Sequence, residues 1–172
     1  MMRENGVTDA DIESVTVHTF DAATRLSKIV PRDTDEAQYN IAYPVAAAIV
    51  HGDVGYRQVC NEALGDERVL RMMQRLQFVK DPQMEREFPE KRLAWVELVL
   101  KNGKQLVSRV YAADGEATDG VDMAWIQQKF RRITAPFLDE RAAQDVLTLL
   151  TKELDRPLRE VVAKVNQALG IG

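Results

Sequence analysis

The chain has 172 residues, 45% hydrophobic and 29% charged, enough for one domain with a real core and unlike a disordered polar chain. Its 23 Lys and Arg stand against 27 Asp and Glu, a formal charge of −4, so no overall basic field is present to hold a nucleic-acid backbone. One cysteine, Cys60, excludes an intramolecular disulfide and a cysteine-built zinc or iron–sulfur site within one chain.

The N-terminal stretch MMRENGVTDADIE is polar and carries no apolar signal core, and no run reaches the roughly 18 apolar residues that cross a bilayer. A cytoplasmic protein without a membrane partner is expected. Asn5 and Gly6 read as the stop of a short helical turn, and Thr8 to Asp11 as a capped turn. Val15 to Phe20 alternates as a strand, with Val15, Val17 and Thr19 on one side and Thr16, His18 and Phe20 on the other.

Asp33, with Glu36 three residues on, has the form of a capping box and predicts a helical run that continues to a stop at Gly52, broken at Pro44. Proline in a helix interior removes a donor and clashes one turn back, at roughly 3 kcal/mol, so a run built only for burial would not carry it there. Proline also pushes the residue before it toward extended backbone. Tyr43 is thereby expected at a break between helical turns, where a phenol can serve as a proton donor or carboxylate ligand. Tyr39, one turn earlier, is read as core packing.

Residues 56–64 and 66–77 read as two helices divided by Gly65 and Asp66, with Val69, Met72, Met73 and Leu76 at helical spacing. Residues 78–82 form a short strand ended by Pro82, followed by a charged loop to Pro89. Residues 95–111 then give two alternating runs about Asn102-Gly103, the dipeptide that favours a two-residue type I′ hairpin. With Lys101 opposite Lys104, the pairs Val99 with Leu106 and Trp95 with Val110 fall on the face expected to be buried.

Beyond the loop at 113–120 the pattern is helical. Ile126, Phe130, Ile133 and Phe137 share one face, Val146, Leu149, Leu150 and Leu154 a second, and Leu158, Val161, Val162, Val165 and Leu169 a third, with Pro157 opening the last helix. The fold class is therefore α+β: a small, mainly antiparallel sheet with helices packed on one face, then a C-terminal helical segment. The expected division is residues 8–118 and residues 120–172.

Four blocks in order carry a resemblance: the strand IESVTVHTF, the segment EAQYNIAYPVAAAIVHGDVG, the stretch VKDPQMEREFPEKRLAWVELVLKNGKQL, and the KF of WIQQKFRRI. Together they resemble the C-terminal part of the MmgE/PrpD family, which includes 2-methylcitrate dehydratase, cis-aconitate decarboxylase and iminodisuccinate epimerase. The resemblance implies that residues 8–118 form the α+β lid of a two-domain enzyme. Residues 120–172 would be helices that pack on a helical domain outside this sequence, with a carboxylate-binding cleft between the domains. It implies one catalytic position here, the lid tyrosine, which falls on Tyr43; this chain has Ala42 before it and Pro44 after it, where many members have proline before.

Abstraction of a proton beside a carboxylate, with loss of water or carbon dioxide, needs a tuned base and a cationic cradle. The two histidines, His18 on a strand and His51 at a helix end, show no sign of converging and are read as structural, as is Cys60. No GxGxxG, phosphate loop, HExxH, GxSxG or EF-hand pattern is present, and neither cofactor nor metal is expected. The reading that follows is the lid portion of a lyase or isomerase acting on di- or tricarboxylates, inactive alone and completed by a helical-domain partner or by self-association through the C-terminal helices. The alternatives are a non-catalytic binding or oligomerisation module that retains the lid fold, and an unrelated α+β protein.

Overall fold

The computed structural model describes residues 1–115, 119–152 and 155–170. The chain divides into two units, Met1–Asp114 and Gly115–Gly172. The first unit runs β1 (Ile12–Thr19), α1 (Asp21–Thr24), α2 (Thr34–Gln38), α3 (Ala42–His51), α4 (Tyr56–Val59), α5 (Glu67–Met73), β2 (Leu76–Lys80), α6 (Pro82–Glu87), β3 (Leu93–Leu100), β4 (Gln105–Val107) and β5 (Tyr111–Ala112). Short 3₁₀ turns at Arg3–Asn5, Asp9–Asp11 and Asn61–Ala63 connect them.

Alternation along β1 organises this unit. Val15, Val17 and Thr19 are buried on one side, while Thr16 and His18 are only half-buried on the other. β2 lies parallel to β1 on one edge and β3 antiparallel on the other, and β3 carries β4 and β5, giving the order β2-β1-β3-β4. The sheet is small and mainly antiparallel, and the fold is α+β. Its buried face meets α3 and α5: Ala42, Tyr43, Ala46 and Ala47 of α3, with Val69, Met72 and Met73 of α5, join Val15, Val17, Leu98, Leu100 and Leu106 in one core. Three alanines on the buried stripe of α3 keep that helix close to its neighbours.

The hairpin corrects the expected register. Leu98 pairs with Leu106 and Val99 with Gln105, one residue away from the expected match. The reason lies in the turn: Leu100 N donates to Lys104 O (2.9 Å) and Gly103 N to Leu100 O (2.8 Å), with Gly103 at φ 82°. This is a three-residue loop, Lys101–Gly103, whose glycine takes the left-handed position, in place of a two-residue type I′ turn. A one-residue slip exchanges the faces of the whole strand. Leu98, Leu100 and Leu106 are therefore the buried set, whereas Val110 stands 47% exposed and Trp95 lies on the opposite face. At Ser108 the ladder changes step: its Oγ accepts from Val96 N (2.9 Å), and β5 resumes with Tyr111 opposite Ala94.

Two further expectations are corrected. The helix after Asp66 ends at Met73, and Leu76 opens β2 instead of continuing the helical face. The charged stretch after Pro82 is helix α6, because Asp81 caps it through Gln83 N (2.7 Å) and Met84 N (3.2 Å) and Pro82 occupies its first turn, where no donor is needed.

The second unit holds α7 (Met123–Thr134), α8 (Glu140–Lys152) and α9 (Leu158–Ala168). Asp122 caps α7 through Trp125 N (2.8 Å), and Asp139 accepts from Ala142 N (2.8 Å) at the start of α8. Ala143, Val146, Leu147 and Leu149 of α8 are buried. Ile126, Ile133 and Phe137 of the first expected face are exposed, as are Leu150 of the second and Leu158, Val162 and Leu169 of the third. Leu154 lies outside the described residues.

The observed register makes a direct prediction. Leu98→Ala removes a buried side chain and lowers stability by about 2–5 kcal/mol, whereas Val99→Ala, on the less buried face, costs less than about 1.5 kcal/mol. Urea unfolding of the two variants distinguishes them; equal losses would restore the slipped register.

Candidate functional site

Tyr43 is set by the junction between α2 and α3. Asp33 caps α2 through Glu36 N (2.8 Å), and the Glu36 carboxylate returns to Arg32 N (2.9 Å) and to the Arg32 guanidinium, one residue earlier than a capping box requires. α2 ends at Gln38, and the chain turns through Tyr39, Asn40 and Ile41 before α3 begins. Asn40, 5% exposed, fixes that turn. Its Oδ1 accepts from both Ala42 N and Tyr43 N at 2.8 Å, and its Nδ2 donates to Ile29 O at 2.7 Å.

The break therefore precedes Tyr43, and the expectation of an extended Tyr43 at a Pro44 kink is corrected. Pro44 stands in the first turn of α3, where its missing N–H would have had no intrahelical partner. Tyr43 is helical and its ring is 1% exposed in the core; its hydroxyl donates to Ala63 O at 3.0 Å. Burial pushes the phenol's pKa above its ordinary 10.0, and the acidic groups Asp66 and Cys60 push it further the same way. It is held as a neutral hydrogen-bond donor.

The C-terminal end of α3 reaches the same carboxylate. His51 Nε2 lies 3.1 Å from Asp66 Oδ2, while Asp66 Oδ1 caps α5 through Arg68 N (2.8 Å) and Val69 N (3.4 Å). Asp66 thus ties His51 to the start of α5 and acts electrostatically on Tyr43. From the sequence Asp66 is read only as a divider between helices and Asn40 not at all, although both are cap-type residues placed just before helical runs.

His18 lies elsewhere. It alternates to the face of β1 opposite the core and stacks on Trp95, centroids 3.6 Å apart and rings within 2° of parallel. Trp95 Nε1 donates to Asp81 Oδ2 (2.9 Å), a contact that, first among several, holds the Asp81 carboxyl below its usual range. His18 Nε2 is buried without a hydrogen-bond partner among the described residues. Tyr39 is 78% exposed, so the packing expected of it is corrected: the turn at Asn40 swings it outward, away from the face of Tyr43. Cys60 is half-buried, its thiol 3.7 Å from Arg57 O. Among the described residues no group of three or more His, Cys, Asp or Glu is placed to hold a metal ion, and no helix is long and apolar enough to cross a membrane.

Two measurements check this geometry. Asn40→Ala leaves two helix-start donors without their acceptor and is expected to cost about 2 kcal/mol in chemical unfolding, while Asn40→Asp, which keeps the acceptor, costs less. In alkaline absorbance titration one of the four tyrosines ionises later than the rest, and Tyr43→Phe removes that late phase. The sign follows from the raised pKa: the folded state holds this proton more tightly, so stability falls as pH climbs past the ordinary value of 10.0. Four tyrosines titrating together would contradict the buried donor.

Residues 1–153 match the MmgE/PrpD C-terminal domain. No curated protein matches the chain. The match takes in the whole sheet, the Asn40 junction, Tyr43 and α5, and reaches through α7 and α8. The chain belongs to the MmgE/PrpD family, as a C-terminal domain of that family.

Proposed function

We propose that this chain is the lid portion of an MmgE/PrpD-type lyase or isomerase that acts on di- or tricarboxylates such as 2-methylcitrate, and that it has no turnover by itself. The observation that carries this reading is the match of residues 1–153 to the family's C-terminal domain. In this reading residues 8–118 close over a cleft, the helices of residues 120–172 pack on a helical domain supplied by a partner or by a second copy, and the complex works in the cytoplasm. The exposed apolar residues of α7, α8 and α9 support a role in packing.

The chemistry near Tyr43 fits a contribution to a site more than a whole one. Proton abstraction beside a carboxylate needs a base near neutrality and cations for two or three carboxylates. Among the described residues the titratable groups that act on the Tyr43 hydroxyl are Asp66 and Cys60, neither of them a cation, while His51 is committed to Asp66 and His18 faces the other side of the sheet. Tyr43 brings a neutral phenol suited to donate a hydrogen bond or proton to a substrate oxygen. Meeting substrate requires that the buried side chain be uncovered and its hydrogen bond to Ala63 O exchanged for one to the ligand.

A second reading has its own observation. A ring 1% exposed with its hydroxyl already satisfied is also what a packing residue looks like, and it favours a non-catalytic module that keeps the lid fold. Reconstitution separates the two. The purified chain, alone and mixed with a helical-domain MmgE/PrpD partner, is assayed for dehydration, decarboxylation and epimerisation of tricarboxylates and aminodicarboxylates. Turnover is expected only in the mixture, and Tyr43→Phe should lower kcat by about 10²-fold or more with the fold intact by circular dichroism. Turnover indifferent to Tyr43→Phe removes the catalytic role, and no turnover in any mixture favours the module.

A further inference from the structure

A cavity of about 360 Å³ opens between the Asp9–Asp11 turn, α5 and the hairpin turn, and Arg68, Arg71, Arg75 and Lys101 line it against one lining carboxylate, Asp9. Four cations gathered on one cavity are out of keeping with a chain whose formal charge is −4. Their partners differ in kind. Arg68 is matched by Asp9 through two contacts, Nη2–Oδ1 at 2.6 Å and Nε–Oδ2 at 3.2 Å, and Arg71 by Glu67, an exposed residue one turn back, at 3.0 Å. Arg75 Nη1 donates to Ile12 O at 2.6 Å, a neutral acceptor that fixes the guanidinium; the carboxylate it acts on at longer range, Asp9, is already bonded to Arg68. Lys101 Nζ has no hydrogen-bond or ion-pair partner among the described residues; Asp11, on whose carboxyl it acts, is already bonded to Thr8 N and Oγ1.

We infer that this cavity is a binding site for a small oxyanion carrying two or more negative charges, a multicarboxylate or a phosphate, held by Arg75 and Lys101 with Arg71 able to exchange Glu67 for the ligand. Its volume lies in the range of small-molecule sites, and the buried Met72 forms an apolar part of its wall. The cations come from separate segments, α5 with the turn after it and the β3–β4 loop, so the fold and not a run of sequence gathers them. Arg68, clamped by Asp9, acts as a fixed wall, and Asp9 itself competes with an incoming anion. The inference does not rest on the reading of Tyr43.

Isothermal titration of the purified chain at low salt, with sodium citrate, inorganic phosphate and acetate at matched ionic strength, tests it. Saturable binding of citrate or phosphate, but not acetate, is expected, and whichever of the two binds identifies the ligand as carboxylate or phosphate. Lys101→Gln, on an exposed turn that should fold normally, weakens that binding by roughly 3- to 10-fold, and Asp9→Asn, which removes the competing carboxylate, strengthens it. A merely structural role for these side chains would not give opposite signs. Absence of saturable binding, or affinity unchanged in both variants, overturns the site.

Discussion

One buried amide governs where this domain's most distinctive side chain lies. Asn40 turns the chain between two helices that the sequence reads as one, holding the first donors of α3 with its oxygen and the loop at Ile29 with its nitrogen. The two amide donors are buried, so a side chain without an acceptor there would leave them unsatisfied. Once α3 starts at Ala42, its period determines that Tyr43, Ala46 and Ala47 face the sheet together. The placement of Tyr43 follows from Asn40 and owes nothing to a proline kink.

This explains which parts of the fold were legible. The alternation of β1, the hairpin, the left-handed stops at Gly6 and Gly52, and the α+β layout follow from local pattern, and they are present. Pro44 misled because proline has two meanings in a helix, a break in the interior and a good residue in the first turn, and only the cap upstream decides between them. The hairpin misled in the same way. Asn-Gly is compatible with a two-residue turn and with a three-residue loop ending in glycine, and the choice shifts every partner by one. Leu98, Leu100 and Leu106 on one face were the discriminating signal, since that register buries all three leucines and the other only Leu106.

The site was legible only in part, for a different reason. Tyr43 could be singled out along the chain, but its surroundings are assembled from residues 20 or more positions away: Ala63 accepts its hydroxyl and Asp66 acts on it while also holding His51. The arginine-lined cavity is a sharper case. Its cations are dispersed over residues 68 to 101, no two of them adjacent, and read along the chain they look like ordinary solvated surface. Only folding shows that, among the described residues, Arg75 hydrogen-bonds a neutral acceptor and Lys101 Nζ none.

Tyr43 also illustrates how a buried phenol can belong to a catalytic family and still contribute to a core. Its ring lies in the buried cluster that includes Val15, Val17 and Leu98, and burial there requires no hydroxyl; a phenylalanine would fill the same space. The hydroxyl, by contrast, satisfies one carbonyl on a 3₁₀ turn of three residues, Asn61–Ala63, a short element with little packing of its own. Losing a single neutral hydrogen bond of that kind costs about 1 kcal/mol, small beside what the buried ring contributes to the core. The burial that raises the phenol's pKa keeps its proton in place, so the hydroxyl stays a neutral donor to Ala63 O for the same reason that its ring is a good core residue.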